Sequence, residues 1–137
     1  MFEQKHNVMR TILFLFLLLT AAIGSVSSQS LQGPAICFGG LINNDTISVD
    51  YDLTAMELRI CNDTEGLITV SSFQMTRYCK GCDPTEKNQD GGNKLNSEMI
   101  GLIQKSPAGS KFYFEYVKGV RKSGRHIPLG TLLLIKK

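Results

Sequence analysis

Short segments in which apolar and polar residues alternate make up most of the sequence after residue 33. A period of two places apolar side chains on one face of a β-strand, whereas a helix repeats every ~3.6 residues. Turn-forming residues such as Asn43, Asn44 and Gly124 separate these segments. Because few helices are left to serve as crossovers, the pattern favours an all-β fold of the sandwich type. Strands are predicted at 34–41, 46–53, 56–61, 67–78, 111–120 and 131–137.

One segment, residues 95–106, departs from the alternation. Its apolar side chains, including Met99 and Ile103, fall on a single helical stripe. Asn96 or Ser97 can cap this helix, because a short polar side chain accepts hydrogen bonds from the free N–H groups of a first turn. The sequence therefore predicts one short helix within an otherwise all-β domain.

The alternation also slips by one position inside the segment 67–78. Val70 shares one face with Ile68, whereas Phe73 and Met75 follow one step out of phase. A single extra residue in one strand produces such a slip. The sequence therefore predicts a β-bulge at Ser71 and Ser72.

The first 28 residues form a separate region. A basic start, with Lys5 and Arg10, is followed by an apolar run at 11–23 and small residues at 24–28. This order is typical of a secretory signal peptide. A helix of that run spans about 20 Å, which is too short for a bilayer core of about 30 Å, so a membrane anchor is disfavoured. We expect residues 1–28 to be a signal peptide and 29–137 to be one exported domain, periplasmic or extracellular.

Four cysteines, Cys37, Cys61, Cys79 and Cys82, lie in the predicted mature part. Export implies an oxidising compartment, in which disulfides are the expected state. Cys79 and Cys82 would close a tight loop and leave Cys37 and Cys61 for each other, although four cysteines allow two other pairings. The role expected for the tight loop is to hold the base of a polar loop at 79–94.

The Cys-Lys-Gly-Cys spacing is also found in redox proteins and zinc sites. A redox pair needs its first thiol at a helix N-terminus, but Gly91 and Gly92 would stop a helix after about one turn. A tetrahedral zinc site needs two ligand pairs, and His126 is the only histidine of residues 29–137. A structural disulfide is therefore favoured, a thiol-disulfide redox protein that uses Cys79 and Cys82 is the alternative, and no metal is expected.

No set of residues indicates catalysis. His126 stands alone beside Arg125, and Asp50 and Asp52 share a predicted strand face without a partner acid. The segment 86–92 resembles a calcium loop, but its twelfth position is a serine where a carboxylate is needed. We expect a solvated polar loop there, a non-enzymatic protein and no cofactor.

Charge divides the mature part of the chain. Residues 111–137 contain seven basic residues and a single acid, Glu115, whereas residues 29–110 contain six basic and ten acidic residues. Lysine protects the edges of sheets against pairing, which is one explanation. The other is a partner-binding surface around a turn at Ser123 and Gly124. Export disfavours nucleic acid as the partner. The residues of that surface are Lys118, Arg121, Lys122 and Arg125.

The C-terminal half resembles the C-terminal domain of the gliding-motility protein GldM, in residues 70–75, 99–120 and 124–136. This resemblance implies an immunoglobulin-like β-sandwich that meets other proteins in the periplasm, in the machinery for gliding and type IX secretion. The chain departs from the family in its four cysteines and in lacking the membrane helix and the other periplasmic domains.

A fold and a style of interaction therefore carry over from this family, whereas a motor role does not. The sequence predicts an exported, non-enzymatic protein-interaction domain of the bacterial envelope, whose partner and oligomeric state it does not name. An inhibitor or ligand-binding domain that uses the loop at 79–94 is a third class.

Overall fold

The computed structural model describes residues 33–137, and the predicted signal peptide at 1–28 lies outside the described residues. Most of the regular structure of these residues consists of β-strands, with one short helix. None of the helices in the described part is long and apolar enough to cross a membrane. The prediction of an all-β fold with one short helix is confirmed. The elements are β1 (Ile36–Phe38), β2 (Thr46–Ile47), β3 (Leu58–Ile60), β4 (Ile68–Tyr78), β5 (Thr85–Asp90), α1 (Ser97–Lys105), β6 (Lys111–Arg121), β7 (His126–Pro128) and β8 (Leu132–Lys136).

Two sheets organise the chain. The large sheet has the order β2-β8-β6-β4-β5, and β7 pairs with β6 beyond the end of β8. Neighbouring strands of this sheet pair antiparallel, except that β2 and β8 pair parallel. The small sheet consists of β1 and β3, which pair antiparallel. The long strands β4 and β6 form the centre of the large sheet.

The core lies on one face of the large sheet. Phe38 of β1 stacks on Phe114 of β6 with a centroid distance of 5.8 Å, and Phe73 of β4 lies 6.0 Å from the same ring. Met99 and Ile103 of α1 are fully buried in the same cluster. Burying an apolar side chain of this size stabilises the fold by about 1.5–3 kcal/mol. The small sheet and α1 therefore cover the inner face of the large sheet.

The helix begins and ends as the sequence predicts. The Asn96 side chain accepts a hydrogen bond from the Met99 backbone N–H at 3.0 Å, which satisfies one free donor of the first turn. Ser106 ends the helix in an extended conformation, and its N–H donates to the Leu102 carbonyl. The apolar stripe faces the core, so that the polar residues of α1 face solvent.

The predicted β-bulge is confirmed. The pairing of β4 with β6 shifts register between Val70 and Ser72, which leaves Ser71 as the extra residue of β4. The Ser71 carbonyl accepts hydrogen bonds from the N–H groups of Gly91 and Gly92, at 3.0 and 2.8 Å. A second register shift places an extra residue in β6, where Tyr116 has a positive φ of 50°.

The strand predicted at 46–53 is wrong beyond Ile47. After Thr46–Ile47 the chain forms turns, and Val49 and Tyr51 are exposed. The Asp52 side chain accepts a hydrogen bond from the Thr54 N–H at 3.2 Å. Such local bonds from short polar side chains compete with strand pairing. Asp50 and Asp52 therefore lie in turns and do not share a strand face.

The polar loop predicted at 79–94 is also wrong, because Thr85–Asp90 within it form β5. This strand pairs with β4 through its backbone, from Ser72↔Asp90 to Arg77↔Thr85. All six of its side chains are polar, so the sequence lacks the apolar alternation that marks a strand. An edge position tolerates this composition, because charged and polar side chains there discourage pairing with other chains.

Candidate functional site

The four basic residues predicted to bind a partner lie on the β6–β7 hairpin. The strands pair through Gly119↔Ile127 and continue toward the tip. There the Arg121 N–H donates to the Arg125 carbonyl at 2.9 Å, and the Gly124 N–H donates to the Arg121 carbonyl at 2.8 Å. Gly124 has a φ of +84°, which a residue with a side chain adopts only with strain. Backbone bonds and one glycine thus close the turn without help from the basic side chains.

The hairpin divides these four residues between its two faces. Arg121 and Arg125 stand opposite each other, and Lys122 lies at the tip between them. Lys118 is an odd number of positions from Arg121, so its side chain points to the other face of the strand. The cations grouped at this turn are therefore Arg121, Lys122 and Arg125, which we call the basic tip. All three are exposed.

Few acidic side chains among the described residues balance the positive charge of the basic tip. The ion pairs there are Lys87–Glu98 and Lys94–Glu57, neither of which includes a residue of the tip. Lys122 has one acid nearby, Asp63. The backbone N–H groups of Leu67 and Ile68 lower the pKa of Asp63, and the charge of Lys122 lowers it further. The two arginines thus remain available to an acidic partner.

A disulfide joins Cys79 and Cys82, as the sequence predicts, with their Cα atoms 5.3 Å apart. It lies in the turn that connects β4 to β5, where the Cys82 N–H also donates to the Cys79 carbonyl at 3.3 Å. Gly81 supplies a positive φ of 76° in this turn. The disulfide therefore closes a β-hairpin, rather than the base of a polar loop.

This position lacks the feature that activates redox cysteines. In thiol-disulfide enzymes a helix N-terminus lowers the pKa of the first thiol. Here β4 ends at Tyr78 just before Cys79, and β5 begins at Thr85, two residues after Asp83. Within residues 33–137 the helix α1 begins only at Ser97, far along the chain from Cys82. The local geometry therefore favours a structural bond.

Cys37 and Cys61 are free thiols in the structure. Cys37 is buried on β1 and donates weakly to the Arg59 carbonyl at 3.8 Å, while Cys61 follows β3 and its N–H donates to the Ala35 carbonyl at 3.0 Å. Burial, and then the hydrogen bond with the neighbouring Cys37, raises the pKa of Cys61 to about 12. The two thiols are neighbours on paired strands, and a disulfide between them stays a prediction.

The structure brings together no cluster of metal ligands among residues 33–137. No three His, Cys, Asp or Glu side chains in this range are placed to hold a metal ion. His126 is exposed at the start of β7. Glu86, Asn88 and Asp90 project in line from one face of β5 instead of encircling an ion. The spacing at 86–92 that resembles a calcium loop therefore comes from the alternating side chains of an edge strand.

Two glycosylation acceptor patterns, Asn44-Asp45-Thr46 and Asn62-Asp63-Thr64, also lie on the surface. Asn44 and Asn62 are both exposed and both stand in turns. The Asp63 carboxylate within the second pattern accepts the Ile68 N–H at 2.9 Å. This bond ties the turn after β3 to the start of β4, beside the basic tip.

No protein-family model matches the sequence, and no curated protein matches it either. The resemblance to the C-terminal domain of GldM therefore stays a prediction. The geometry of the two hairpins remains the basis for a functional argument.

Proposed function

We propose that this protein is an exported, non-enzymatic interaction domain of the bacterial envelope that binds an acidic protein partner through the basic tip. The observation that carries the proposal is the placement of Arg121, Lys122 and Arg125 on one exposed hairpin turn. Charges at such a position steer encounters with a partner of opposite sign and add little to the stability of the fold.

The fold we propose is an immunoglobulin-like β-sandwich. The packing of Phe38 from the small sheet onto Phe114 of the large sheet supports this assignment, because it places two layers of strands around one core. The resemblance to GldM adds an association with the gliding and type IX secretion machinery, in which such a domain meets other proteins.

The alternative function is that of a small thiol-disulfide redox protein. The Cys79–Cys82 spacing favours it, whereas the hairpin position of the bond opposes it. A redox protein would exchange its disulfide with a substrate thiol at neutral pH. Structural disulfides resist reduction by glutathione, so failure to exchange with this reagent would count against the redox alternative.

The test is recovery of native partners from envelope preparations with three proteins of known melting temperature. They are the parent, the neutralised variant R121Q/K122Q/R125Q and the control variant K80Q/K105Q/K137Q. The control removes the same charge from exposed positions elsewhere. We expect the parent and control to recover the same partners at low salt and the neutralised variant to lose them. Equal recovery by all three would show that the basic tip is not the binding surface.

A further inference from the structure

A second surface lies on the outer face of the large sheet, opposite to the core. Along β6, Tyr113 and Glu115 alternate with the buried Phe112 and Phe114 and so point outward. Register pairs Tyr113 with Thr76 of β4. Tyr78 therefore projects from the same outer face, on the diagonal from Tyr113.

These side chains form a small notch. The rings of Tyr78 and Tyr113 meet edge to face, with centroids 5.4 Å apart and planes at 89°. Glu115 stands beside Tyr113, and one of its carboxylate oxygens accepts a hydrogen bond from the Thr76 hydroxyl at 3.2 Å. Thr76 is only 1% exposed and lies beneath. The three residues Tyr78, Tyr113 and Glu115 line a cavity of about 230 Å³, which we call the tyrosine notch.

The charge inside the tyrosine notch is not neutralised by a neighbour. Glu115 takes part in neither ion pair of the described residues. Glu86 of β5 pairs with Thr76 and adds a second carboxylate to the same face. The basic residues of β6 on this face are Lys111, about 13 Å from Glu115 along the strand, and Lys118, beyond the second bulge. Neither forms a salt bridge with Glu115.

A carboxylate beside two aromatic rings has a defined chemical preference. The negative face of an aromatic ring attracts ammonium and guanidinium groups, and recognition sites for quaternary ammonium ligands combine several such rings. Tyr78 remains 45% exposed, so a ligand can reach its ring. We infer that the tyrosine notch is a binding site for an organic cation, either a free quaternary ammonium compound or the side chain of a lysine or arginine. This surface is separate from the basic tip and of opposite charge.

A structural role alone would give the same edge-to-face ring geometry, because diagonal tyrosine pairs also stabilise sheets. The two roles differ in one measurable property. A site for a cation prefers a charged ligand over a neutral ligand of the same shape, whereas an apolar contact does not.

The experiment is an NMR titration of the mature protein, with the Tyr78 and Tyr113 ring signals as the readout. Choline is compared with 3,3-dimethylbutan-1-ol, its uncharged analogue, at millimolar concentrations. Choline is expected to shift both rings in a saturable way and to bind about fivefold or more tighter than the alcohol, since cation–π contacts contribute about 1 kcal/mol at exposed sites. Acetyl-lysine amide and acetyl-arginine amide then distinguish a side-chain ligand from a free one. Saturable binding of any of these cations, tighter than that of the neutral alcohol, supports the site.

Variants separate the carboxylate from the rings. E115Q keeps an oxygen that can accept from Thr76, and Y78L removes one ring; each is expected to weaken cation binding about fivefold. Y78F keeps the ring and E98Q removes a carboxylate on α1 that pairs with Lys87, so both are expected to bind as the parent does. Melting temperatures confirm that each variant is folded. Equal affinity for choline and its alcohol, no saturable shift with any cation, or unchanged affinity in E115Q would overturn the inference.

Discussion

The two hairpin turns at opposite ends of the large sheet are built in different ways. Because β4 and β6 are antiparallel, with Tyr78 opposite Lys111 and Ile68 opposite Arg121, the turn after β4 and the turn after β6 lie at opposite ends of the strands. The first is closed by a covalent bond between Cys79 and Cys82. The second, which carries the basic tip, is closed by backbone hydrogen bonds and Gly124.

The two turns differ in whether side chains or backbone groups close them. The first turn depends on its side chains, since a disulfide joins two of them. In the second turn the charged side chains make none of the closing bonds, which run between the backbones of Arg121, Gly124 and Arg125. Because the charged side chains do not close the turn, they are available for contacts with a partner. This contrast makes the second turn the better candidate for binding.

The largest expected effect concerns the predicted disulfide between Cys37 and Cys61. A bond there would close a loop of 25 residues, counted from 37 to 61, and chain-entropy arguments give it a stabilisation of about 3.5 kcal/mol. Intact mass without reductant is expected to lie below the reduced mass by two hydrogens for each of two bonds. The variant C61S is expected to lose that stability in urea unfolding. A parent protein from its native compartment with two alkylatable thiols would contradict the prediction.

Removal of the Cys79–Cys82 bond is expected to have a smaller effect. The bond closes a loop of only four residues, from 79 to 82, so C79A/C82A is expected to lower the free energy of unfolding by about 2 kcal/mol. Urea unfolding of parent and variant under the same oxidising conditions measures the difference. A variant as stable as the parent would remove the contrast between the two turns, because neither would then depend on its side chains.

Substitution of Gly124 in the second turn is expected to lower the stability of the protein by a still smaller amount. Its φ of +84° costs an L-residue about 1 kcal/mol, so G124A is expected to destabilise the protein by that amount. The matched control is G101A inside α1, where nothing lies within 4 Å of the added methyl group and helix propensity predicts a gain of about 1 kcal/mol. Thermal melts of the two variants are expected to move in opposite directions. A neutral G124A would show that the turn relaxes without strain.

Neutralising the basic tip is expected to change stability least. Exposed substitutions usually remain within about 0.5 kcal/mol, so R121Q/K122Q/R125Q is expected to melt close to the parent. The pKa of Asp63 is a finer measurement. Backbone hydrogen bonds hold it below 3.8 in the folded protein, so the stability it supplies is present above that pH and is lost as the pH falls through the lowered pKa. NMR titration is expected to show a small rise in this pKa when Lys122 is neutralised. A melting temperature far below the parent's would mean that the tip supports the fold.

Local sequence patterns predicted the elements that have a clear apolar period. The strands around Phe73 and Phe114 and the helix around Met99 follow from spacing alone, and the slip at Ser71 located the bulge. β5 was missed because its six polar residues contain no apolar alternation. Residues 48–53 were predicted as a strand because side-chain bonds such as Asp52 to Thr54 cannot be read from alternation.

The two candidate sites differ in how far the sequence determines them. Lys118 and Arg121 are three positions apart on β6, so the two-residue period of a strand already places them on different faces. The tyrosine notch joins Tyr78 to Tyr113, which are far apart in the chain and meet only because Thr76 pairs with Tyr113. The only signal for the tyrosine notch in the sequence was the two-residue spacing that places Tyr113 and Glu115 on one face of a strand.

The central claim, that the basic tip steers an acidic partner, is tested most directly by the salt dependence of association. The rate constant for binding a partner recovered with the parent is measured over a range of ionic strength, for the parent, R121Q/K122Q/R125Q and K80Q/K105Q/K137Q. Salt screens exposed charges over about 10 Å at 0.1 M. The account predicts fast association at low salt that falls steeply for the parent and the control, and slow association with a flat dependence for the neutralised variant. The same rate and the same slope for all three proteins would contradict it.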